Sequence, residues 1–379
     1  VQDAVDIGAD ALEQILKFIG GETEREGNKP NAATRYFVAE AAAKVIEKYN
    51  VGNGVELLRN ALLSGDNDAK KTGGAIGLGF LPKDKVTGGE REALTRSLAG
   101  SNDVKEASAN ALAKVGDDSS AADLTKTAAE ENLAVALASL RALFYTKPKN
   151  PDTVRALGDM IADEPAAGGA GSKKSREKYV REYAADALGE IGDPAAIAHL
   201  LRARRDDMKN VRDAATLAIQ KISKIDAAGA SKTCLEVLKD ETKKTDDRIG
   251  AALSLGDMGD PALGKELSLR IIDPNPPRVL RDPDSGVRSK ICEALGNMGD
   301  GAKKKTIVEN LLRAMGDEGE REGPRDKAYE ALKRISGLDP DKEGSADAAK
   351  KFKGSDPKPN REGAVKSWVE WFNGAGLSD

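Results

Sequence analysis

The chain is 379 residues long and carries 59 lysines and arginines against 63 aspartates and glutamates, a formal net charge of −4. That balance leaves no strong global field to gather nucleic acid or an anionic lipid surface, and no apolar run reaches the roughly 20 residues needed to span a bilayer. Aromatic residues make up only 4% of the chain, so a core must come from close packing of Ala, Leu and Gly, which favours helices over strands.

Taken in chain order, one amphipathic segment recurs from Val38, Asp68, Val104, Asn132, Val180, Val211, Asp247, Val287 and Pro324. The clearest copies are VKEASANALAKVGD, VREYAADALGEIGD, VRDAATLAIQKI, DRIGAALSLGDMGD and VRSKICEALGNMGD. Small or apolar residues fall at offsets 4, 5, 8 and 11 from the start of each copy, which is one face of an α-helix. Aligning on the Ala-Leu-Gly leucine places anchors at Ile46, Ile76, Leu112, Leu140, Leu188, Ile219, Leu255, Leu295 and Leu332. Before most copies lies a second helical stretch: VELLRNALL, REALTRSLA, VRALGDMIA, AAIAHLLRA, KTCLEVLK and TIVENLLRAM. Each repeat is therefore predicted to be a hairpin of a helix A and a helix B.

The turns carry their own punctuation in Gly192-Asp193-Pro194 and Gly259-Asp260-Pro261. Glycine ends one helix in the left-handed conformation, aspartate caps the next, and proline fits its first turn. One hairpin cannot bury both faces, so stacking is required. The expected fold is all-α: an α-solenoid of about nine helical hairpins over residues 1–338, followed at 339–379 by an irregular linker and a C-terminal, Trp-containing capping helix.

The V-R-x-x-A-A-x-A-L-G-x-I-G-D-P pattern resembles the bacterial HEAT repeat, in the variant also called the phycobilisome-lyase HEAT-like repeat. The resemblance covers about residues 31–338. It implies a HEAT-like superhelix that acts as an interaction scaffold; some relatives are lyases or bind nucleic acid. ISGLDPD with REGAVKSWVEWFNG also resembles the closing segment of bacterial HEAT arrays.

Four long A-to-B connections, at 20–31, 164–177, 273–286 and 316–325, are expected along one rim. They supply candidate partner-binding residues: Lys173, Lys174 and Arg176 in the second, and Pro276, Pro277, Arg278 and Arg281 in the third. In the tail, Trp368, Trp371 and Phe372 share one helix face and either cap the array or dock onto a partner, including a second copy. Basic residues gather between Lys173 and Lys224, but eight carboxylates are interleaved with the twelve cations, so a salt-bridged surface is expected. Arg181, Arg212 and Arg288 share a repeat position and are expected to form a structural ladder.

Catalytic constellations are not assembled. His199 is the sole histidine, and Cys234 and Cys292 read as buried apolar residues. The glycines of GAIGLGFLP at 74–82 follow no strand. Asp282 with Asp284, and Asp339 with Asp341, read as turn residues and not as a calcium loop. The expected function is a non-catalytic scaffold with no cofactor or metal, binding a protein partner or itself through the concave face or the loop rim. A bilin lyase-like chromophore-binding protein and a nucleic-acid-binding protein are the alternatives, nucleic acid being the less expected partner. Val1 in place of Met fits a removed leader and leans toward export, with a cytoplasmic location as the alternative.

Overall fold

The computed structural model describes residues 32–49, 53–161, 174–272, 281–340 and 351–378, with Val51 and a few positions between 11 and 18. It divides into two compact units, Val1–Lys221 and Ile222–Asp379. The described residues form helices and connecting turns, with no strand among them. The B helices are α1 (Ala32–Tyr49), α3 (Asp68–Phe80), α5 (Asn102–Val115), α7 (Leu133–Thr146), α9 (Lys174–Ile191), α11 (Lys209–Ile225), α13 (Thr245–Met258), α15 (Ser285–Asn297) and α17 (Glu322–Ser336). The A helices are α2 (Gly54–Ser64), α4 (Gly88–Ser97), α6 (Ala121–Ala128), α8 (Pro151–Ile161), α10 (Ile197–Ala203), α12 (Ala227–Lys239), α14 (Gly264–Ile271) and α16 (Lys305–Gly316), and α18 (Lys358–Gly374) follows them. This is the all-α, α-solenoid class of fold.

In the first unit α3 packs on α5, α5 on α7 and α7 on α9, while α2 meets α4 and α6 meets α8 in a second layer. The anchors Leu112, Leu140, Leu188 and Ile219 are buried between the layers. One anchor needs correction: Ile76 is only half-buried, and Leu78, two residues on, is the buried one. The reason lies in the following residue. Gly79 sits where a Cβ would come within 2.8 Å of the Ala111 backbone, and Gly189 meets Ala218 in the same way at 2.8 Å. Neighbouring B helices touch at these glycines, and in α3 that close approach sets the register at Leu78-Gly79.

The second unit repeats the scheme: α12 packs with α13, α14 with α15 and α16 with α17, and α13, α15 and α17 stack in turn. A Cβ on Gly256 would fall 2.6 Å from the Ala294 Cα, and one on Gly296 would fall 3.0 Å from that of Ala331. Cys234 and Cys292 are buried and unbridged, and burial pushes the Cys292 thiol far above its usual range.

The glycine turns have the expected chemistry. Gly192 and Gly259 are left-handed, at φ 77° and 67°. Asp193 and Asp260 accept from the amides of Ala195 and Ala262, each at 2.9 Å. Each leads first into a single 3-10 turn, Pro194–Ala196 and Pro261–Leu263, before the α-helix begins.

The ladder forms at Arg181 and Arg288 and gains Arg248 and Lys105, but Arg212 is a correction, since it reaches no carboxylate of a neighbouring repeat among the described residues. Arg181 clamps Asp206 of the following turn at 2.6 and 2.9 Å, and Arg288 clamps Glu320 at 2.6 and 2.7 Å. Arg248 reaches Asp282 at 3.2 Å and Lys105 reaches Glu130 at 2.7 Å from the same repeat position. Arg212 holds only the carbonyls of its own turn, at 2.6 and 2.9 Å. Asp284 caps α15 through the amides of Gly286 and Val287; Asp282 and Asp284 are thus structural turn residues.

Beyond α17, α18 packs on α16. Trp368 is fully buried, edge-on to Tyr329 with ring centres 5.9 Å apart, and Tyr329 also meets the buried Phe352. Arg325, at the ladder position of α17, donates to the Gly354 carbonyl at 3.2 Å. The segment before α18 thus occupies the place of a further repeat's turn.

Candidate functional site: the B-helix face of the first unit

Of the seven candidate rim residues, only Arg281 has a described side chain. Lys173, Pro276, Pro277 and Arg278 lie outside the described residues, as do the side chains of Lys174 and Arg176. Arg281 is a correction: only 18% of its side chain is exposed, and it is bonded to Glu320 at 2.7 Å. Ladder geometry claims it. Trp368 is also corrected, since full burial removes it from any partner, while Trp371 and Phe372 are half-buried. The expected insertion at 316–325 shrinks to 317–321, because α17 begins at Glu322. Of the loops at 20–31 and 164–177, the described structure contains only α9 residues from Lys174. In the basic cluster, Lys209 pairs with Asp213 and Lys221 with Glu190, as a salt-bridged surface requires.

His199 packs in the A layer against Gly158. Burial holds its imidazole below the usual value, against an opposing pull from Asp159. Among the described residues no group of His, Cys, Asp and Glu is placed to hold a metal ion, and no helix is long and apolar enough to cross a membrane.

What stands out instead is a groove of about 870 Å³ on the B face, lined from α1, α3, α5 and α7. Its volume lies in the range of sites that enclose a ligand. The floor is small and apolar, with Gly79, Ala107 and Ala111, and the walls carry Ile76, Phe80, Tyr36 and Tyr145. Tyr36 stands edge-on to Phe80 at 5.3 Å, and Tyr145 is 54% exposed. Asp68 and Asp103, from the first turns of α3 and α5, line one part of the groove with Glu106 of α5; Lys114 and Arg141 line another.

The cations rest on aromatic faces, Lys114 3.7 Å above Phe80 and Arg141 5.9 Å from the Tyr145 ring centre. Burial and the Arg141 charge pull the Lys114 ammonium below its usual value, against Glu40. Glu40 is itself bonded to Lys44 at 2.7 Å.

The apolar and aromatic character continues along the face. Relative to the anchor leucine, the groove is lined at positions −9, −5 and −2 by Asp103, Ala107 and Asn110 of α5. In α9 the first two of these positions hold Tyr179 and Tyr183, and in α11 the third holds Leu217, each at least 41% exposed. In the second unit the same positions hold Asp246, Gly250 and the half-buried Leu253 in α13, and Gly286, Lys290 and Glu293 in α15. None of these six is an aromatic residue or an exposed large apolar one. In a chain so poor in aromatics, four of the six tyrosines, 36, 145, 179 and 183, stand exposed on first-unit B helices. Sequence reading missed this because the repeat was read for its buried positions; the signal lay at the intervening ones.

Residues 170–243 match the family described as HEAT repeats. No curated protein matches the chain. Among solved structures, an engineered protein is 17% identical with a TM-score of 0.40, over 96% of this chain and 98% of its own. The complex of CpcE and CpcF of phycocyanin lyase from Nostoc sp. PCC7120 is 18% identical with a TM-score of 0.36, over 75% and 94%. The karyopherin Kap121p bound to the extreme C-terminus of the protein phosphatase Cdc14p is 11% identical with a TM-score of 0.38, over 86% and 42%. The match at 170–243 falls on α9 to α12 of the array of helical hairpins, and over that stretch the chain is similar to HEAT repeats.

Proposed function

We propose that the protein is a non-catalytic interaction scaffold that binds another protein through the B-helix face of its first unit. The observation that carries this reading is the concentration of exposed Tyr36, Tyr145, Tyr179, Tyr183 and Leu217 on one layer of helices around a groove of about 870 Å³. Aromatic side chains supply large contact area at low entropic cost and are enriched where proteins meet. A face without such a role would carry the small and polar residues that fill most of the equivalent positions in the second unit, where the one leucine, Leu253, is half-buried. The mixture of charges in the groove disfavours nucleic acid, which calls for a continuous cationic track.

The reading is tested by selecting binders from a displayed random-peptide library against the immobilised full chain. Enriched peptides should lose about tenfold or more in affinity on Tyr145→Ala with Tyr183→Ala, and keep it on Leu63→Ala, an exposed apolar site in α2 of the A layer. Binders indifferent to the tyrosines, or failure to enrich any, would argue against this face.

A further inference from the structure

The groove charges have no ion-pair partners within the described protein. Around them, pairing is the rule: Arg59 holds Glu90, Arg91 reaches Asp117 and Lys105 holds Glu130. Asp68, Asp103 and Glu106 nevertheless have no cation partner among the described residues, Arg141 has no carboxylate partner there, and of carboxylates Lys114 feels only Glu40, which is itself bonded to Lys44. Helix ends explain part of this. Asp68 and Asp103 sit in first turns and Lys114 in a last turn, where the helix dipole favours them. Glu106 and Arg141 lie inside their helices, and no dipole accounts for them. The two signs are also segregated along α5, acids toward its start and Lys114 near its end, with an apolar floor between.

Resting on the scaffold reading, we propose that this groove takes a short extended segment of a partner protein that carries a basic side chain at one end and a carboxylate at the other. The basic group would sit at Asp68, Asp103 and Glu106, and the carboxylate between Lys114 and Arg141. The spacing follows from α5. Glu106 and Asp103 precede Lys114 by eight and eleven residues, which is about 12 to 16 Å at about 1.5 Å per residue. An extended segment covers that distance in four or five residues at roughly 3.3 Å each. Phe80 and Tyr145 flank the cations and leave room for an apolar side chain beside the carboxylate. Cation and aromatic ring then act together, as in other modes of peptide recognition.

The probes are three fluorescein-labelled peptides with the same apolar centre and with charged residues five apart: Arg and Glu, Arg and Arg, or Glu and Glu. Fluorescence anisotropy with the full chain should rank the Arg/Glu peptide about tenfold above the other two. Lys114→Glu with Arg141→Glu makes the groove acidic throughout, so the Arg/Arg peptide should then bind best. An order that is the same in wild type and variant would overturn the proposal, as would a wild-type preference for the Glu/Glu peptide. Equal affinities that fall together on Tyr145→Ala would remove the charge rule and leave the face as a protein-binding surface. A dimer seen by light scattering and lost in the charge-reversed variant would make a second copy the occupant and overturn the proposal.

Discussion

Gly256 gives the sharpest test of how the repeats are held together. A Cβ built on it lies 2.6 Å from the Ala294 Cα, 2.8 Å from its Cβ and 3.1 Å from its carbonyl oxygen. Backbone atoms cannot swing away as a flexible side chain would, so Gly256→Ala must force α13 and α15 apart by the better part of an ångström. A gap of that size forfeits about a quarter to a half of the dispersion attraction of the atoms that line it, and overpacking of this kind costs about 3 kcal/mol at the upper end of its usual range. Alanine recovers about 1 kcal/mol of helix propensity, leaving a net loss of about 2 kcal/mol. Gly363, inside α18, is the control: a Cβ there meets nothing within 4 Å, so Gly363→Ala should gain up to about 1 kcal/mol. Urea denaturation followed by far-ultraviolet circular dichroism reads both. If Gly256→Ala is as stable as the parent, the helices do not rely on that contact and the reasoning fails.

Trp368 is fully buried against Tyr329, so Trp368→Ala with Trp371→Ala should cost about 3 to 5 kcal/mol in the same assay; unchanged stability would mean that α18 does not cover the end of the stack. Removing Arg288 leaves the Glu320 carboxylate buried beside only Arg281, and Arg288→Met should cost about 3 kcal/mol or more, while Arg288→Met with Glu320→Leu should recover most of it in urea titrations. Burial pushes the Glu320 carboxyl up, but hydrogen bonds from Arg288, Arg281 and the Arg321 amide outweigh it and hold it below the usual value. Its stabilisation is therefore present above the unfolded glutamate value, about 4.3, and is lost as pH falls through the lower folded value. Glu320→Gln should accordingly lose stability at neutral pH and converge on the parent in acid; a constant gap across that range would contradict the ladder's electrostatics.

The hairpins were legible because the 3.6-residue period and the Gly-Asp-Pro turns are local: each depends on backbone conformation and on capping groups a few residues away. Leu188, Leu255 and Leu295 could be named as core from that pattern alone. Ile76 could not be rejected in favour of Leu78, since both are apolar and only the approach of Ala111 to Gly79 decides between them. Arg281 and Trp368 illustrate the same limit. Charge and aromaticity make a residue a candidate for binding, but Glu320, 39 positions away, claims Arg281, and Tyr329 of α17 encloses Trp368.

The sequence by itself determined that this is a stack of helical hairpins, because amphipathic period, capping and the need to bury a second face are all written in short stretches of chain. Only the tertiary structure decided which charges are paired and where a groove forms. Whether a charge is free depends on what the next repeat places beside it, and this groove forms because α1, α3, α5 and α7 converge. Those are distances between residues far apart in the chain, which no local spacing contains.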